Sequence, residues 1–429
     1  MHPSGCFFVL VSNTKNKLIG VFSSKLKITV MNVYRHLFLK KNSGHDISFR
    51  LIYVFSTIFA FQTLITAYIG SSYLEQFIDP KFVGIIFAVG AAGAMLVTLF
   101  LPKILRLIGN VVTILILLLI IMVSLVLIGL AITPYLTIGI FILLMAVKPQ
   151  IYLNIDMFLE TLIGDDEGVT GSKRGIILTL MSISSFFAPI AMIHIIGDSN
   201  NLANVYYVSA VICVVLIGII LAKFRSFEDP PYEEIKVKEV ILSAFGDIDI
   251  RVVLYSQFLL QFFYTWAVIY IPLYLSTEMG MDWTTIGQII AVGLFAFIIF
   301  QYPAGIIADK KYGEKEMMAI GFVLLALSMA SIAFVGVLGV IGWMVLVFIS
   351  RTGASLVEIT TESYFFKHVK ENDSNLISLF RLMRPLANLS GALIATVTLF
   401  FLPFNLIFVI LGLFMVTGII GTMKLHDTK

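Results

Sequence analysis

Gly305-Ile306-Ile307-Ala308-Asp309-Lys310-Lys311-Tyr312-Gly313-Glu314-Lys315 lies between two apolar runs, each long enough to cross a bilayer. A chain that leaves one such run and enters the next must reverse direction within a few residues at the water interface. Gly305 and Gly313 permit the reversal, because glycine reaches backbone conformations closed to other residues. Asp309, Lys310, Lys311 and Lys315 hold charge against the neighbouring helix ends.

The composition agrees with such a turn. Of 429 residues, 59% are hydrophobic and only 13% charged, and the mean hydropathy is +1.00. No soluble globular chain needs that much apolar surface. Cys6 and Cys213 are far apart and Cys213 sits inside an apolar run, which argues against a structural disulfide. No His, Cys and carboxylate set has metal-ligand spacing and no GxxxxGK[ST] loop is present, so neither a metal nor a cofactor is expected and ATP-driven pumping is disfavoured. No nucleophile stands with a base, so an enzyme is not expected either.

A spanning helix needs roughly 20 apolar residues at about 1.5 Å each. That rule predicts twelve spans, at 50–74, 81–101, 111–132, 135–162, 175–196, 203–222, 251–275, 284–303, 317–338, 340–363, 376–400 and 404–423. Domains follow from the gaps: a basic tail over 1–49, a six-helix bundle over 50–222, a linker over 223–250, a second bundle over 251–423 and a tail over 424–429. Short loops on one side hold only Lys81, whereas those on the other hold Lys103, Arg106, Lys173, Arg174, Lys310, Lys311, Lys315, Lys367 and Lys370. Basic residues stay on the cytoplasmic side. Both termini are therefore expected in the cytoplasm and the chain in the plasma membrane, with the bilayer as its surroundings, a monomeric state and no nucleic-acid partner.

The two bundles repeat in sequence. Asp46-Ile47-x-x-Arg50 matches Asp247-Ile248-x-x-Arg251, and Tyr73-Leu74 matches Tyr274-Leu275, both at a separation of 201. Val83-Gly84-x-Ile86-x-Ala88-Val89-Gly90 matches Ile286-Gly287-x-Ile289-x-Ala291-Val292-Gly293 at 203, and Asp156 and Glu160 fall on Glu358 and Glu362 at 202. A nearly constant separation across several helices points to internal duplication.

With that frame, Gly305, Ala308, Asp309, Lys310, Gly313 and Lys315 resemble the loop signature of the major facilitator superfamily, G-x-x-A-D-[RK]-x-G-x-[RK], with one extra residue between Lys310 and Gly313. The resemblance implies an all-α membrane fold of twelve helices in two six-helix pseudo-repeats. It also implies alternating access around a central site and coupling to an ion gradient, most naturally protons. In the first half the signature is degraded: Leu105 stands at the acid, Arg106 at the cation and Gly109 at the glycine. The family's acid braces the cytoplasmic side, so this brace is in doubt there. Drug and proton antiporters of the family carry G-x-x-x-G-P-x-x-G-G in the fifth helix; here Ser185 to Ala191 keeps only Pro189. That mark does not support antiport.

Charges inside spans are costly and are functional or paired by default. Lys148 in the fourth span and Arg351 in the tenth are counterparts at 203, placed to flank an anionic group of a small-molecule substrate; pairing with an acid or snorkelling to water is the alternative. Asp156 and Glu160, and Glu358 and Glu362, are four apart and share helix faces. Depth from the inner ends sets Glu358 with Arg384, about 12 Å in, and Glu362 with Arg381 nearer the surface. A ladder of ion pairs is expected there, structural or proton-carrying, while Asp156 and Glu160 near Lys173 and Arg174 read as a cytoplasmic gate. The first and seventh helices usually line the cavity in this family, and here they carry Gln62, Tyr68, Gln257, Gln261, Tyr264, Trp266 and Tyr270. Amides and rings suit an anionic or amphiphilic ligand, and Tyr73 and Tyr274 suit an interfacial belt. A receptor or scaffold that keeps the fold without transport is the alternative.

Overall fold

The computed structural model describes residues 48–163, 170–224, 227–230, 247–308, 312–334, 339–368 and 374–426. The N-terminal tail, most of the linker and Asp309, Lys310 and Lys311 lie outside them. Thirteen α-helices are described: α1 Phe49–Ala67, α2 Gly70–Glu75, α3 Pro80–Ile108, α4 Asn110–Leu130, α5 Pro134–Ile163, α6 Thr170–Ile196, α7 Ala203–Lys223, α8 Ile248–Thr277, α9 Trp283–Ile307, α10 Glu314–Ile332, α11 Val340–His368, α12 Ser374–Phe401 and α13 Leu406–Thr422. Eleven are long and apolar enough to cross a membrane, and α13 is an apolar helix of 17 residues. The first predicted span is two helices, α1 and α2, separated at Tyr68 and Ile69. The ninth ends at Ile332, short of the predicted 338.

Side chains at the turns set where helices begin. Asp79 accepts from the Lys81 N–H at 2.9 Å with Pro80 at the first helical position of α3, and Asp282 accepts from the Thr285 N–H at 2.7 Å at the start of α9. The bundle is dressed outside with large apolar side chains, among them Leu96, Leu327, Leu413 and Val211. Water would penalise such a surface; hydrocarbon does not.

The internal duplication is repeated in the packing. In the first half α1 lies on α5, α6 and α7, α3 on α5, and α4 on α5 and α7; in the second α8 lies on α11, α12 and α13, α9 on α11, and α10 on α11 and α13. The halves meet along two pseudo-symmetric seams, α3 against α12 and α6 against α9. The paired glycines of the repeat explain both. A Cβ on Gly84 would sit 2.2 Å from the Thr396 Oγ1 and Tyr270 Oη and 2.7 Å from the Ala392 carbonyl, all in the second half. Its counterpart Gly287 faces Ile193 of α6 in the same way, at 2.4 Å.

The basic-face turns also match. Gly109 has φ 80° and ψ 166°, Gly313 φ 87° and ψ 158°, and each precedes the first residue of the next helix. A Cβ in this region is strained, and at Gly109 it would also lie 2.4 Å from the Asp229 carboxylate. Gly109→Ala is therefore expected to lower stability by about 2 kcal/mol or more and Gly313→Ala by about 1–2 kcal/mol, measured as thermal unfolding in detergent. Equal loss at both sites would show that Asp229 adds no crowding.

Tyr73 and Tyr274 do not form a belt. Tyr73 is 3% exposed and donates to the Ile128 carbonyl at 2.6 Å, and Tyr274 packs on Trp343, Phe404 and Phe408. Within the predicted tail over 424–429, Leu425 is buried, and His426 is bonded to Asp249 of α8 by its N–H at 3.0 Å and its ring at 2.8 Å. Tyr364 of α11 donates to the His426 carbonyl at 3.1 Å.

Candidate central site between the two halves

On the face opposite the basic turns the halves are closed. Ser72 of α2 and Ser276 of α8 lie 3.2 Å apart, and Phe82 and Phe400 make an edge contact at 5.6 Å. Polar side chains run from this closure toward the basic face with rising exposure: Arg351 is 3% exposed, Lys148 and Glu358 intermediate, Arg384 exposed.

The two cations reach this path from opposite halves. Lys148 on α5 donates to the Thr66 hydroxyl at 2.7 Å. Arg351 on α11 stacks over the Phe263 ring, 5.3 Å from its centre, and its buried Nε has no acceptor. Among the described residues neither cation has a carboxylate within ion-pair distance. Thr66 and Tyr68 belong to the end of α1, and Tyr68 is within electrostatic reach of Arg351. Both cations thus approach one short segment, and among the described residues neither meets an acid there.

The expected acid ladder is arranged differently. Glu358 accepts from the Gln301 amide at 3.2 Å, with Arg384, Tyr264 and Glu362 as its ionisable neighbours. Arg384 donates to the Gln261 amide oxygen at 3.0 Å rather than pairing with Glu358. Arg381 pairs with Asp156 of the other half at 3.0 Å, not with Glu362. Helix depth cannot choose partners; rotation about each helix axis does. The side chains of Glu160, Lys173 and Arg174 lie outside the described residues, as does the core of the loop signature; Gly305 lies in the last turn of α9 against Ile359, and Lys315 is the second residue of α10, after Glu314, which accepts from Ser363 and Lys367.

Not every predicted polar residue faces the centre. Gln62 is fully buried and donates to Ser209 of α7 at 2.7 Å, so it ties α1 to its own bundle. Trp266 donates to the Gly391 carbonyl at 2.8 Å and packs α8 on α12. Gln257 keeps an unpartnered polar atom, its Oε1, and the Tyr264 hydroxyl faces the Glu358 carboxylate. Thr66, Tyr152 and Gln301 join the central set without having been singled out; each is a polar group inside an apolar run, and Tyr152 shares the α5 face of Lys148, four residues on. A groove of about 640 Å³ lies along the α6 and α9 seam, lined by Phe186, Ile190, His194, Gln288 and Phe295 among others. It includes neither cation.

The sequence profile described as Major Facilitator Superfamily matches residues 170–384 and 253–428. The chain therefore belongs to the Major Facilitator Superfamily, a family of multi-pass membrane transporters, and its twelve-span fold is the family's. No curated protein sequence matches it. Among solved structures, a mutant of the nucleoside transporter NupG is similar with a TM-score of 0.64 and 12% identity, over 87% of this chain and 99% of that one. At that identity the likeness shows the fold alone.

Proposed function

We propose that this chain moves a small organic solute bearing an anionic group by alternating access, driven by a proton gradient, with both termini in the cytoplasm of a plasma-membrane protein. One observation carries the substrate class: two cations inside spans at pseudo-equivalent positions, Arg351 buried and Lys148 half-buried, lack carboxylate partners among the described residues. A guanidinium and an ammonium held ready in a low-dielectric site bind a carboxylate or phosphate ester strongly. Nucleosides, the class named for the structural relative, carry no such charge. Tyr68, Tyr264, Gln257 and Gln261 supply the rest of the lining. Gln62 is left to packing.

Glu358 and Glu362 are the proton carriers in this proposal. Arg384 is the cation beside both acids, and a change in its distance from them during the cycle exchanges the proton. Arg381 with Asp156 forms the gate on the basic face, joined by Glu160, four residues along the sequence from Asp156. The test is flux into proteoliposomes of a panel of organic anions, cations and neutral amphiphiles, with and without a pH gradient. Anion flux stimulated by the gradient is expected, and Glu358→Gln is expected to leave residual flux that no longer responds to pH. Flux indifferent to collapsing the gradient would remove the proton from the mechanism. Absence of flux for every class, with ligand binding intact, would favour a receptor that keeps the fold.

A further inference from the structure

In the second half, the first residue of α10 after the positive-φ glycine is an acid, Glu314. It is 1% exposed and is held by Ser363 and Lys367 of α11, so that half's turn is tied to α11, the counterpart of α5, by its own carboxylate. At the equivalent place in the first half stands Asn110, and Leu105 replaces the loop acid. Yet a carboxylate is present at this turn. Asp229, in the linker segment 227–230, accepts the Asn110 N–H at 2.7 Å and closes over Gly109.

The linker is seated there by more than one bond. Phe227 meets Phe158 of α5 edge-on at 4.6 Å, and Phe158 and Phe55 flank Phe224. From Asn110 a line of hydrogen bonds enters α5: its amide donates to the Asn154 carbonyl at 3.1 Å, and Asn154 donates to the Gln150 carbonyl at 2.7 Å. Asp156, two residues beyond Asn154, makes the ion pair to Arg381 across the halves.

We propose that Asp229 is a positioning residue of the gate: the linker supplies the carboxylate that the first half lacks, and by holding the α3 to α4 turn against α5 it sets Asp156 where Arg381 can meet it. The linker is then part of the gate as far as Pro230, beyond its covalent role as a tether. The inference rests on the alternating-access proposal but needs no knowledge of the substrate.

The test uses the full-length chain in liposomes with spin labels at Lys103 and Phe366, exposed positions near the basic-face ends of α3 and α11. Asp229→Ala is expected to raise the long-distance population by roughly fivefold or more, and Asp229→Glu to keep the parent distribution. Arg381→Gln should produce the same shift, and the double variant Asp229→Ala/Arg381→Gln no larger one, because both act on a single contact. An unchanged distribution in Asp229→Ala, or effects that add in the double variant, overturns the assignment. If Asp229→Ala does not reach the membrane, Asp229→Asn is judged by the same criteria. If Arg381→Gln itself leaves the distances unchanged, the gate proposal fails, separately from Asp229.

Discussion

Replacing Arg351 with leucine is expected to abolish anion flux while leaving the protein at least as stable as the parent. Removing one partner of a buried ion pair ordinarily destabilises a protein by about 3–5 kcal/mol, because the other charge is left uncompensated. Arg351 has no such partner among the described residues; it is 3% exposed, stacked on Phe263, with its Nε unsatisfied. Leucine removes a charge whose burial in a bilayer costs about 2.5–3.5 kcal/mol on insertion scales, and keeps the contact with the ring. The unfolding midpoint should hold or rise. Flux should fall by roughly two orders of magnitude, since truncating one side of a buried charge contact costs about 2–5 kcal/mol. Lys148→Met should lose flux comparably but gain less stability, because Lys148 is partly solvated and already bonded to Thr66. Proteoliposome flux and thermal unfolding on the same preparations decide the matter. Loss of folded protein in Arg351→Leu would make the arginine structural, and undiminished anion flux in both variants would dismiss the two cations as the anion site.

Gly84→Val is expected to hold the far face open. The three atoms nearest an added Cβ all belong to the other half: the Ala392 backbone carbonyl at 2.7 Å and two hydroxyls at 2.2 Å. Side chains can swing away, but a backbone carbonyl in the middle of α12 cannot. Overpacking of this kind costs about 1–3 kcal/mol, charged almost entirely to the conformer in which α3 and α12 touch. An equilibrium between far-face-closed and far-face-open states should shift roughly thirtyfold or more toward the open one. Spin labels at the exposed positions Gln76 and Glu278, near the ends of α2 and α8, report it as a gain in the long-distance population. Gly139→Ala, where no atom lies within 4 Å of the added Cβ, is the control. Unchanged label distances in Gly84→Val would mean that α3 slides past α12 without separating, and the seam would not be the closing surface.

That Gly84 and Gly287 are counterparts is visible in the repeat. That both sit on the seams between halves, while Gly90 faces Met145 and Gly293 faces Val347 within their own bundles, is visible only in the packing. The pairing of charges shows the same division. Counting residues from helix ends put Arg381 and Arg384 in the layer of the acids, because rise along a helix is fixed by backbone geometry. Which acid each meets depends on the rotation and tilt of four helices, and there Arg381 crossed to Asp156 and Arg384 to Gln261. Gln62 was read as a cavity residue for want of the same information: an amide in a span satisfies its donors wherever a partner lies, and its partner is Ser209.

By itself the sequence determined the class of structure: a membrane bundle of twelve spans in two repeated halves, with cations at matched depths and glycine turns at matched places. These are properties of composition, period and spacing, and hydrocarbon leaves the backbone little choice but the helix. Tertiary structure decided that Lys148 and Arg351 are left without acids among the described residues, that Tyr73 and Tyr274 are packed inside, and that the linker's Asp229 occupies the turn where the first half has lost its own. Those outcomes are contacts between residues far apart in the chain, tens to more than two hundred positions, and no local pattern encodes them.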